Sequence, residues 1–299
     1  MLHAKPLLLC AMLSAAFVAP TAARAGQTAA GQTAAEGRLD LRDLLERLPG
    51  RYDNEPQRFF LEGMKRVADR PDRMHVVITR MPGEGPVRIE IAERDGDEHS
   101  AVQRRATWEL SLATDGQVVA RSAAAGGSCA LFWQRRAGVF IAEVPSACRS
   151  AGAQPSLIAP GARLWLSRDE LWRELPGQSR PLQLLRATEF DCFVAIRRRN
   201  GEPQAMAQLR LHDRGGTVTL RTDEEPARQL TLLLRHGLWP SVSGNNFVPL
   251  MNLYLYEGAE RRMIGNGWAT PESGRVGFGI GDELAGGQSA SARCTRINP

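Results

Sequence analysis

Two segments of this chain alternate charged with apolar side chains. Within Val87 to Arg94, the residues Arg88, Glu90, Ala92 and Arg94 fall on one side, and Ile89, Ile91 and Glu93 on the other. Arg105, Thr107 and Glu109 repeat the pattern between Arg105 and Ala113. A period of two is that of a β-strand, so each set shares a face. If such strands close on a cavity with Arg88, Glu90 and Arg105 inward, the lining suits an amphipathic small molecule with acidic groups. Guanidinium forks hold carboxylates, and carboxylates accept N–H donors. Tyr52, Trp108 or Trp133 would supply aromatic walls. If the strands instead turn this face to water, the same charges form the solvated side of an antiparallel sheet, which is the commoner arrangement.

The other reactive residue types point to little chemistry. His75, His99, His212 and His236 do not sit at spacings that make a metal site, and there is no Cys-x-x-Cys, so no metal is expected. Ser243-Gly244 lacks the glycine two residues before the serine that a nucleophile elbow needs. Gly277, Gly279 and Gly281 alternate along a strand with no helix after them, unlike a dinucleotide loop. No catalytic residue is assigned, and no cofactor is expected.

Elements that would carry these residues follow in order. Leu41, Leu44, Leu45 and Leu48 give a helix over Asp40 to Leu48, stopped at Gly50. Gly50-Arg51-Tyr52-Asp53-Asn54-Glu55-Pro56-Gln57 then opens a second helix, with Asn54 as N-cap and Pro56 in the first turn. That helix carries Phe59, Phe60, Met64 and Val67 on one side. From Met74 on, short strands with turn signals predict a mainly β protein: an antiparallel barrel, then a second antiparallel β domain. Ser167 to Glu170 reads as a capping box or as a turn into a strand through Leu171 and Trp172.

The N-terminus reads as a secretory signal. Lys5, the apolar run Leu7 to Val18 and Ala23-Arg24-Ala25 supply its three parts, with cleavage near Ala25. Cys10 lies inside the run and reads as passive. The expected domains are a signal peptide over 1–25, a flexible linker over 26–38, a barrel over 39–198 and a C-terminal sandwich-like domain over 199–299. The mature chain is expected in a periplasm or secreted, with no integral membrane segment. Losing Lys5 and Arg24 takes the net charge from +5 to +3, too little to argue for nucleic acid. Arg197-Arg198-Arg199, the densest basic run, reads as a solvated strand end.

Export places Cys129, Cys148, Cys192 and Cys294 in an oxidising compartment, where four cysteines allow three pairings. Cys129–Cys148 is favoured because the two flank one hairpin. Cys192–Cys294 is favoured because it ties the start of the C-terminal region to its end. In the chain-entropy model the short loop gains about 3 kcal/mol and the long one about 4–5 kcal/mol.

Asn54 and Gln57 in the opening motif, His75 at a strand start, Glu93 in a charged strand and Gln103-Arg104-Arg105 opening another come in a fixed order. The cysteine-bearing hairpin follows them. Over about residues 41–196 this order resembles the CpcT/CpeT family of T-type phycobiliprotein chromophore lyases. The resemblance implies a lipocalin-like calyx, often dimeric, that holds a bilin and assists attack of a phycobiliprotein thiol on it. It implies a ligand-binding set of Tyr52, Asn54, Gln57, His75, Arg88, Glu90, Glu93 and Arg105. The chain departs from the family where Ile91, Val102 and Gln103 replace two tyrosines and one arginine. An exported chain is also parted from cytoplasmic phycobiliproteins. A non-catalytic ligand carrier and a structural or adaptor β protein are the alternatives.

Overall fold

The computed structural model describes residues 33–122, 129–146, 148, 157–241, 243–244, 246–279 and 290–297. The signal peptide lies outside the described residues, as does the linker up to residue 32. The rest of that linker is helical. Helix α1 runs over Ala34–Arg47, and Thr33 and Glu36 cap its start reciprocally. That box outweighs the weak helix propensity of Gly37. Glycine is required there because a Cβ would lie 2.1 Å from the Gly116 carbonyl oxygen.

The fold is mainly β, as the alternation predicts. Ten strands close into an antiparallel barrel. They are β1 (Gly50–Asp53), β2 (Met74–Met81), β3 (Val87–Asp95), β4 (Val102–Leu112) and β5 (Val118–Ser122). The wall continues through β6 (Ala130–Arg136), β7 (Val139–Glu143), β8 (Arg163–Leu166), β9 (Glu170–Glu174) and β10 (Leu182–Arg186). β1 seals the barrel between β2 and β10. Ser167 takes the turn reading, its hydroxyl accepting the N–H groups of Asp169 and Glu170.

Inward positions are filled. Tyr52, Val76, Ile78, Ile89, Ile91 and Trp108 belong to one buried cluster, to which α1 adds Leu44 and Leu48. The space left among Ile89, Trp108, Trp133 and Leu157 is about 20 Å³. That is room for about one water molecule.

Helix α2 (Glu55–Gly63) follows β1. Its cap differs from expectation: the Asp53 carboxylate accepts the Glu55 N–H at 2.8 Å, and Asn54 makes no capping bond. Leu61 is its buried apolar side chain, whereas Phe60, Met64 and Val67 are exposed.

Eight further strands form two four-stranded antiparallel sheets. One orders β12 (Pro203–His212), β11 (Glu189–Arg197), β18 (Ala290–Arg296) and β17 (Arg275–Gly279). The other orders β13 (Arg214–Arg221), β14 (Gln229–Pro240), β15 (Phe247–Glu257) and β16 (Arg262–Ala269). Phe190, Val194, Leu232 and Leu253 share a buried core across them. A boundary at 198/199 assigns β11 to the barrel, but β11 pairs with β12 and β18. The Cys192–Cys294 bridge joins directly opposed residues of β11 and β18, and Cys129–Cys148 forms the second bridge. Both are the favoured pairings.

Arg198 pairs with Glu202 and Asp223, so the basic run is partly neutralised by its own neighbours. No helix among the described residues is long and apolar enough to cross a membrane.

Candidate functional site

The charged strand faces point away from the barrel interior. Arg88 and Arg105 are 57% and 59% exposed, and they pair with Glu109 and Glu90 on the outer wall. Arg88, Glu90 and Arg105 therefore line no interior cavity. The reason is register: Ile89, Ile91, Trp108 and Leu110 take the inward positions, and period two sends their neighbours out.

Four of the other sequence-derived residues are internal braces. Tyr52 is wholly buried and donates to the carbonyls of Arg47 and Leu48. Burial raises its phenol to about 12, against the opposing pull of Arg186. Asn54 donates to the Asp72 carbonyl and accepts the Met74 N–H at 2.8 Å each. Gln57 donates to the Pro181 carbonyl and accepts the Gln183 N–H, fixing α2 to the start of β10. Glu93 is inward and 3% exposed, accepting from Arg104 at 2.8 Å and from the Leu157 N–H at 3.0 Å. The inward arginine of β4 is thus Arg104, not Arg105. Counting back by twos from Trp108 puts residue 104 inward.

His75 alone of the set joins a constellation with chemical potential. Asp53 and His75 are directly opposed on β1 and β2. Since Tyr52 and Val76 face the core, Asp53 and His75 stand on the barrel's outer wall, where His212 at the end of β12 covers them. The His75 and His212 rings are 5.2 Å apart. Glu98, in the turn between β3 and β4, completes the group. Asp53, His75, Glu98 and His212 offer ligand atoms within 4.8 Å of one another. Asp53 and His75 are wholly buried, and His212 is 1% exposed.

The hydrogen bonds separate supporting atoms from available ones. Both Asp53 oxygens are fully engaged: Oδ1 accepts from Glu55 N–H and Arg73 Nε, and Oδ2 accepts from Arg73 Nη2 at 3.0 Å. His75 Nδ1 lies 2.9 Å from the same Oδ2, which makes Nδ1 the protonated nitrogen and leaves a lone pair on Nε2. Glu98 Oε1 accepts the Thr217 N–H at 2.7 Å. Three buried atoms then have no hydrogen-bond partner among the described residues: His75 Nε2, His212 Nε2 and Glu98 Oε2. The last two are 3.2 Å apart, close enough for an ion pair but too misaligned for a hydrogen bond.

Charges within the group are strongly coupled. Burial lowers the His75 imidazole, against the raising pull of Asp53. Burial would raise Glu98, but the His212 ring and the Thr217 N–H pull it down to about 2. For Arg73, burial lowers and Asp53 raises, and the guanidinium ends above its ordinary value. Two carboxylates facing one arginine leave an excess negative charge before either imidazole is counted, and that charge favours a cation.

Sequence reasoning missed this group because its members are joined by folding alone. His75 and Asp53 are 22 residues apart, and Glu98 and Thr217 are 119 apart. No family model, curated protein or solved structure matches the chain. The resemblance to CpcT/CpeT proteins accordingly rests on the motif residues alone.

Proposed function

We propose that this chain is an exported β protein that holds a divalent transition-metal ion at the seam between its barrel and its second pair of sheets. The observation that carries the reading is the meeting of His75 Nε2, His212 Nε2 and Glu98 Oε2, all buried and all without a hydrogen-bond partner among the described residues. Unpaired polar atoms this deep are uncommon, and each costs about 1–3 kcal/mol. One cation would satisfy all three.

Asp53 is the orienting carboxylate, fixing His75 through Nδ1 as metal-bound histidines usually are. Two imidazoles and a carboxylate suit zinc or a neighbouring first-row ion better than calcium or magnesium, which prefer all-oxygen sites. Ligand bonds of about 2.0–2.2 Å place ligand atoms about 3.3 Å apart, so loading draws these side chains together. The Arg214 N–H sits 3.2 Å from His212 Nδ1, and that ring must turn from it to present Nε2. Near-complete burial favours a retained ion that fastens β2 to β12. A bilin-handling role finds no support in the barrel, whose 20 Å³ interior compares with several hundred Å³ for a small-molecule pocket.

Cobalt(II) titration of the mature, chelator-treated protein tests this. Saturable visible absorption at about one ion per chain, absent in His75→Ala and His212→Ala, is the expected result. Absorption unchanged in both variants would refute the site.

A further inference from the structure

The outer wall of the barrel carries a second cluster that the seam does not involve. Trp165 of β8 and Trp172 of β9 are directly opposed. Leu164, Leu166 and Leu171 take the inward positions, so both indoles stand outside. They line a cleft of about 360 Å³ with Val139, Ser167, Glu170 and Pro181. Its lining also includes Glu174 and contains no basic side chain.

The two carboxylates differ in their surroundings. Glu174 has Arg163 at 3.8 Å, and that guanidinium lies over the Trp165 ring at 5.9 Å from its centroid. The Glu170 carboxylate makes no hydrogen bond or ion pair with any described residue. Trp172 Nε1 is buried and also lacks a partner. That burial shuts the indole N–H off from the cleft, which therefore offers indole surface and one uncompensated negative charge. Aromatic faces beside a carboxylate attract organic cations, because the ring quadrupole and the carboxylate act with the same sign.

We propose that this cleft binds a small quaternary ammonium cation, with the ammonium head against the indoles and Glu170. The volume fits such a ligand and lies near the lower end for small-molecule sites. A neutral ligand would fill the cleft but leave Glu170 uncompensated. An anion would be repelled.

The test uses the mature full-length protein and two probes of nearly equal shape, choline and its uncharged isostere 3,3-dimethylbutan-1-ol. Calorimetry or tryptophan fluorescence should show choline binding at least about tenfold more tightly than the alcohol. Glu170→Gln should remove that preference while leaving the circular dichroism spectrum and thermal midpoint unchanged. Equal affinities for choline and the alcohol, an unchanged preference in Glu170→Gln, or no binding of either probe would each overturn the proposal. None of these outcomes depends on the seam holding a metal.

Discussion

The barrel interior and the barrel–sheet seam solve burial in opposite ways. The interior is filled and mostly apolar, with Phe140, Leu166, Leu171 and Leu184 fully buried and the Glu93–Arg104 pair as its charged exception. The seam is polar, with Asp53, His75 and His212 buried nearly as deeply. Close packing and removal from water stabilise the first arrangement, although the Trp108 and Trp133 indole N–H groups inside it have no hydrogen-bond partner among the described residues. The second leaves three polar atoms without a hydrogen-bond partner among the described residues, a state that low-dielectric surroundings make costly. A filled barrel is thus a scaffold, and the reactive groups sit where it meets the next unit.

Breaking the interior should cost the most stability. Phe140→Ala removes a ring from a site with no solvent exposure and should lower the unfolding free energy by about 3–5 kcal/mol in chemical denaturation. Metal bound per folded chain should not change. Removing metal tests the other side. An ion present at about a thousand times its Kd adds about 4 kcal/mol, so chelation should lower the thermal midpoint of the wild type. The midpoint of a His75→Ala, His212→Ala double variant should not respond to chelator. Asp53→Asn sharpens the distinction between ligand and orienter: metal affinity should fall about 10–100-fold, measured by competition with a chelating dye.

Glu93 gives a pH signature belonging to the barrel alone. Burial raises its carboxyl above the ordinary 4.5, outweighing Arg104 and the Leu157 N–H. A raised acid contributes stability that is fully present below 4.5 and is lost as pH rises through the folded value. Unfolding free energies of wild type and Glu93→Gln, compared from neutral pH down to about 4, should diverge in favour of wild type on acidification. The smallest effect belongs to the outer wall. Arg105→Ala should change stability by no more than about 0.5 kcal/mol and leave metal content intact, because its pair with Glu90 is exposed.

Much of the scaffold was legible because apolar alternation survives in the sequence. β2, β3, β5 and the β6–β7 hairpin stand close to where Val76, Ile89, Val118 and Leu131 place them. The Cys129–Cys148 disulfide was legible for a related reason, since a hairpin brings its flanks together. Two of the missed strands lack the signal. β1 is four residues with Tyr52 as its one large inward side chain. β18 turns Ala290, Ala292 and Cys294 inward, side chains too small to read as a hydrophobic face. β10 was missed as well, although Leu182 and Leu184 alternate as buried side chains. The glycines of β16 and β17 record an approach between strands that spacing cannot reveal: a Cβ on Gly267 would lie 2.3 Å from the Gly277 carbonyl oxygen. The seam was beyond reach for the same reason. Local spacing finds ligands that share a strand or helix, whereas His75, Glu98 and His212 come from a strand, a turn and a strand end.

The most direct measurement of the central claim is the metal content of the mature protein purified from an exporting host without chelator. Mass spectrometry of the metal should find about one transition-metal ion per chain in the wild type and in Arg105→Ala, and almost none in the His75→Ala, His212→Ala double variant. A wild type that is metal-free as purified and fails to take up zinc or cobalt on reconstitution would contradict the account. The three unpaired atoms at the seam would then need a different partner.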